Sequence, residues 1–214
     1  MIQAGRGLGK ANGPRIMTDS QDTPTISLNA RVGAIALTIC APLNLILHMQ
    51  GPALGPLSYA VWLGLSFGLL CFCDEMGAAR PLNRGGLIAF AAAFVADTLL
   101  TLSADPSLVA RASVLYAFAV LGAVVLWSVA LMHRKQTARA IGAIGALVGG
   151  GALALLVAAH VLLGAATVLG FSQLFAALQE PGHSTLAALM LIDAVLCVWS
   201  LPIAFLLWTA RLRR

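Results

Sequence analysis

The chain has 214 residues, of which 60% are hydrophobic and 10% charged, with a formal net charge of +5. Soluble domains carry about 25% charged residues, so this composition, with a mean hydropathy of +0.92, excludes an ordinary water-soluble domain and places the chain in the membrane class. The positive balance does not mark a nucleic-acid surface, because the basic residues follow the loops of a membrane topology.

Residues 1–28 are polar and Gly/Pro-containing, with no early apolar run, and read as a disordered leader on the cytoplasmic side rather than a secretory signal. Met17, which opens "MTDSQDTPT", is a second candidate start. Six apolar stretches follow at about 32–50, 57–73, 85–103, 111–132, 140–168 and 186–208 within a 29–210 transmembrane domain. Each is near the ~20 residues that cross ~30 Å of hydrocarbon. Lipid offers the backbone no hydrogen bonds, so every span is expected to be a helix. The expected fold is therefore an all-α bundle of six transmembrane helices. The breaks between them carry turn residues: "QGPALGP" at 50–56, "ARPLNRGG" at 79–86, "SADPS" at 103–107 and "QEPGHS" at 179–184. Residues 211–214 form a basic tail.

Twelve of the thirteen basic residues fall on one side of this topology: Arg6, Lys10, Arg15 and Arg31, then Arg80 and Arg84, then Arg134, Lys135 and Arg139, then Arg211, Arg213 and Arg214. Arg111 alone is on the other. The positive-inside rule puts both termini in the cytoplasm, and the expected location is a bacterial inner membrane.

Helix 1 holds Asn44 and His48 in its second half, and helix 2 ends in "CFCDE" at 71–75. Those two thiols and two acids read as a helix end whose acids answer Arg80 and Arg84, and no metal site is expected there. In helix 3, "FVADTLLTL" places Asp97 in an apolar run, on a stripe with Ala89, Ala93 and Thr101. Counting from the basic end puts Asp97 ~18 Å deep at 1.5 Å per residue. Helix 5 opens "AIGAIGALVGGGALAL", where Gly145 and Gly149 form a GxxxG that Ala146 and Gly150 repeat one residue on. Small residues at this interval let helices approach closely in lipid, so the expected contacts are within the bundle, with a homo-oligomer or a partner protein as the other use of the face. His160 lies farther along helix 5. Helix 6, with "LMLIDAVLCV", places Asp193 on a stripe with Cys197 and Ser200.

Asp97, Asp193, His160, Asn44 and His48 thus fall in the half of the bundle away from the basic loops. Ionisable residues inside a membrane are costly and commonly mark a ligand or proton pathway. The expectation is a small-solute or ion carrier that uses the two aspartates, with a non-catalytic subunit of a larger complex as the alternative. His48 and His160 are the residues a haem could use as axial ligands, but neither lies in a supporting motif, and no cofactor is expected.

The stretch "DEMGAARPLNRGGLIAFAAAFVADTLL" resembles the signature of the CDP-alcohol phosphotransferases, an acid-rich D-x-x-D-G-x-x-A-R followed by eight residues and G-x-x-x-D-x-x-x-D. Anchored on Ala79 and Arg80, Glu75 falls at the second aspartate and Asp97 at the last, and "KQT" at 135–137 is similar to a later K-x-T. The resemblance implies a degenerate lipid enzyme whose carboxylates hold metal ions and activate an attacking alcohol. The first aspartate is here Phe72, the third Ala93 and the intervening glycine Ala89. With one aspartate of four in place, a working phosphotransferase is not expected.

Overall fold

The computed structural model describes residues 27–50, 55–77, 80–134, 136–163, 184–209 and 212. They form six helices: α1 (Leu28–Gln50), α2 (Gly55–Met76), α3 (Arg80–Leu102), α4 (Pro106–Met132), α5 (Gln136–Leu163) and α6 (Ser184–Trp208). All six are long and apolar enough to cross a membrane. The protein is a multi-pass bundle with no strand among the described residues. The leader up to residue 26, the end of the expected fifth span after Leu163, the turn at 179–183 and most of the basic tail lie outside the described residues.

The helices start earlier than the apolar runs do. Two expected turns are in part helical: "ARPLNRGG" is helix from Arg80, and the helix after "SADPS" begins at Pro106. The reason is capping. Pro81 and Pro106 have no N–H to orphan in a first turn and suit it. Asp105 caps α4, its side chain accepting from the Ser107 backbone N–H at 2.9 Å and from the Ser107 hydroxyl at 3.1 Å. These donors hold the Asp105 carboxyl below its ordinary pKa.

α4 is the central helix, the most buried of the six, and packs against α3, α5 and α6. α1 packs against α2 and α6, while α5 is the least buried. Successive helices run antiparallel, as the pairing of Gly33 with Cys71 and of Gly64 with Cys40 shows for α1 and α2. Close approach here depends on glycine: a Cβ on Gly68 would lie 2.9 Å from the Gly33 backbone oxygen. This α1–α2 seam uses the same device as helix 5, with Gly64 and Gly68 at GxxxG spacing on α2.

On α5 the two registers of small residues separate. A Cβ on Gly145 would strike Ser128 and the Trp199 ring, and one on Gly149 would lie 3.0 Å from Val124 Cγ1. Gly142, one turn earlier, is tighter still, with Ser128 O at 2.6 Å and the Met132 backbone N at 2.8 Å. Gly150 meets nothing within 4 Å, and Ala146 is only partly buried. The second register, Ala146 and Gly150, does not line the contact with α4. At ~100° of rotation per residue, a position one beyond the seam turns off it.

Within the core the two ends differ. Toward the end that carries Arg80, Arg84, Arg134 and Arg139, Trp127 and Trp199 stack with centroids 5.5 Å apart, and Phe72 meets both edge-on. Trp199 Nε1 donates to Ser128 Oγ at 2.9 Å. Phe90 continues the stack from Trp127 to Trp62, with centroids at 6.0 and 4.9 Å. Beyond Trp62 the core becomes polar.

Candidate functional site

His48 is the centre of that polar region. Its Nε2 lies 2.9 Å from Asp97 Oδ1 and its Nδ1 2.5 Å from Asp193 Oδ2. One imidazole from α1 thus joins a carboxylate of α3 to one of α6. Trp62 Nε1, from α2, donates to Asp97 Oδ2 at 2.8 Å. Asn44 Nδ2 donates to Asp193 Oδ1 at 3.3 Å, and the Tyr116 hydroxyl, from α4, donates to the same oxygen. Five helices contribute to one hydrogen-bonded group.

Local sequence explains the placement. Asn44 and His48 are four residues apart and so share a face of α1. Pro42, two residues earlier, has no N–H and leaves the Thr38 carbonyl without its helical donor. Asp97 continues a buried stripe of α3 that runs through Asn83, Gly86, Phe90 and Ala93. Thr101 Oγ1 bonds back to the Asp97 carbonyl at 3.0 Å. The Tyr116 ring meets both His48 and Trp62 edge-on, at 5.9 and 6.3 Å.

The side chain of Asp193 is fully buried and that of Asp97 is 8% exposed, whereas His48 is 22% exposed. His48 is thus the most exposed of the three. Each ring nitrogen faces a carboxylate oxygen, and an N···O contact of that length needs one proton between the two atoms. Two protons are therefore shared by one imidazole and two carboxylates. Whether both sit on His48 or one sits on an aspartate, the net charge of the group is −1.

Of the residues expected from the sequence, Asn44, His48, Asp97 and Asp193 come together. His160 lies on α5, and its side chain is outside the described residues. Trp62 and Tyr116 were not anticipated. The signal available was chemical: a buried indole N–H or phenol usually finds a hydrogen-bond partner, and both lie in the same half of the bundle as the aspartates.

Glu75 and Asp97, paired by the phosphotransferase resemblance, lie toward opposite ends of the α2–α3 hairpin. Asp97 is 17 positions into α3 from Arg80, ~25 Å along the axis at 1.5 Å per residue. Glu75 accepts instead from Ser27 Oγ at 3.1 Å. Among the described residues no three His, Cys, Asp or Glu side chains are grouped as metal ligands. A cleft of about 250 Å³ between α4, α5 and α6 is apolar, lined by residues such as Leu121, Leu155, Ile192 and Val195.

Set against protein-family models, curated proteins and solved structures, the chain matches none. Fold and site together define the class, a polytopic helical membrane protein with an Asp–His–Asp group buried in one half of its bundle.

Proposed function

We propose that the protein is a small-solute or ion carrier of a bacterial inner membrane, with both termini cytoplasmic, and that protonation of the Asp97–His48–Asp193 group drives its cycle. The observation that carries this reading is the imidazole bridging two carboxylates of different helices, at a net charge of −1. Ionisable residues at such depth are expensive, and they mark proton relays and substrate pathways in membrane proteins. The group joins α1, α3 and α6 and, through Tyr116, α4, so a change in its proton count alters contacts between helices. The basic loops lie at the far end of the bundle, and the positive-inside rule turns the site toward the outside, where His48 is its exposed member.

The test is proton flux. Purified protein in liposomes that enclose a pH-sensitive dye takes up protons under an imposed potassium-diffusion potential, alone or with added solutes, and His48→Gln abolishes the uptake. Liposomes no leakier than empty ones under any solute tried would remove the carrier reading.

One observation favours a second reading, that of a non-catalytic subunit of a larger complex. Every oxygen of both carboxylates has a hydrogen-bond partner, as a purely structural fastening requires. Under that reading His48→Gln alters stability and leaves no proton flux to lose.

A further inference from the structure

Resting on the reading of this group as a proton-exchange site, the geometry points to Asp193 as the carboxyl that takes up and releases the proton, with Asp97 the fixed counter-charge of His48. The two aspartates look equivalent in the sequence, but their neighbours differ in one respect, which is whether a hydrogen bond can be reversed.

Asp97 is held by Trp62 and His48. An indole N–H donates and never accepts. A proton placed on Asp97 Oδ2 leaves that oxygen able to accept from Trp62, but the new O–H needs an acceptor of its own, and Trp62 offers none. A proton on Oδ1 requires His48 Nε2 to accept it, which moves a proton along an existing contact and adds none. A third proton has no acceptor at Asp97 among the described residues.

Asp193 differs. Its Oδ2 faces His48, but its Oδ1 faces the Tyr116 hydroxyl and the Asn44 amide. A hydroxyl both donates and accepts, and an amide turned over presents its carbonyl oxygen. The Tyr116 hydroxyl and the Asn44 amide meet at this one oxygen and so lie side by side. On uptake, a proton from the aqueous phase forms a new O–H bond at Asp193 Oδ1, which donates to Tyr116 Oη. The Tyr116 O–H swings to Asn44 Oδ1, the amide having rotated, and the charge of the group goes from −1 to zero. Release reverses each step. Both His48 contacts keep their protons throughout.

The charged and titratable groups around Asp193 are few. α1 contributes His48, α3 Asp97 and α4 Tyr116, and α6 itself adds the mostly buried Cys197 one turn on. α2 supplies Trp62, which does not titrate, and His160 of α5 has its side chain outside the described residues.

The experiment is pH-difference infrared spectroscopy of the purified full-length protein, reading the C=O stretch of a protonated carboxyl. The expected result is a titrating band that is lost in Asp193→Asn and kept in Asp97→Asn. In Tyr116→Phe, which retains the ring, the band persists at a shifted frequency because the acid O–H has lost its acceptor. A merely structural tyrosine would not move that frequency. A band lost in Asp97→Asn and kept in Asp193→Asn overturns this assignment and leaves the exchange site standing. So does an unmoved band in Tyr116→Phe, which remains informative if Asp193→Asn does not fold. No titrating carboxyl band in the parent protein removes the assignment and the proton-exchange reading together.

Discussion

At one end of the bundle, helices meet through an imidazole and two carboxylates; at the other, they meet through the stacked rings of Trp127, Trp199 and Phe72. Both regions are buried, yet they are specified differently. Rings pack by shape, and a neighbour of similar volume can replace one at modest cost. The polar group is specified by direction and proton count, so removing one member leaves others charged and unpaired. Ring packing and directed hydrogen bonding are thus placed at opposite ends of the same core.

The largest expected effect comes from removing the cation while keeping the anions. His48→Leu leaves two carboxylates facing each other, and breaking a buried pair in this way costs about 3–5 kcal/mol. Unfolding in mixed detergent micelles measures it. The triple variant with Asp97→Asn and Asp193→Asn should recover most of the loss, because the uncompensated charge goes with them. A cost below about 1 kcal/mol for His48→Leu would show that the polar end is held by packing too, and the comparison would collapse.

Next in size is the α4–α5 seam. Gly142→Leu forces a side chain against the α4 backbone and should cost about 1–3 kcal/mol, as overpacking does. Gly150→Leu, two turns away with open space around it, should be nearly neutral by the same assay. Equal costs at the two positions would mean that α5 is rotated from the orientation described. Smaller again is Phe72→Leu in the ring stack, for which a loss of up to about 1.5 kcal/mol is expected, the usual ceiling for a hydrophobic replacement that keeps most of the volume. A cost near that of His48→Leu would show that the aromatic end is no more tolerant than the polar one.

How far the sequence foretold this can be judged residue by residue. Apolar length alone located six helices, because a lipid-exposed backbone has no alternative to the helix. It located their ends less well, since Arg80 to Arg84 and Pro106 to Ala110 are polar or interrupted turns that capping, not hydropathy, makes helical. Asn44, His48, Asp97 and Asp193 stood out because polar residues are conspicuous in hydrocarbon. Trp62 and Tyr116 did not, because aromatic residues look like core until a partner for the N–H or O–H is sought. Which aspartate faces reversible neighbours depends on rotation about five helix axes, and no spacing in the chain encodes that.

The smallest effect expected lies outside the core, at Asp105, and bears on the polar end through the start of α4. Its carboxylate accepts from the Ser107 N–H and hydroxyl, bonds that favour the charged form and hold its pKa below the ordinary carboxylate value of about 3.9. A folded pKa below the unfolded one means that the unfolded chain binds the proton more readily. The contribution is therefore fully present above the ordinary carboxylate value and is lost as pH falls through the lower, folded value. Asn caps a helix as well as Asp does but does not titrate there. Asp105→Asn should accordingly match the parent protein's stability at neutral pH to within a small loss and show a flatter decline on acidification. Asp105→Ala should lose the cap at every pH. Salt should have little influence on either variant, since the bonds are local and short. A decline on acidification as steep in Asp105→Asn as in the parent protein would place the acid-sensitive step elsewhere, with the buried carboxylates of the polar end as the next groups to examine.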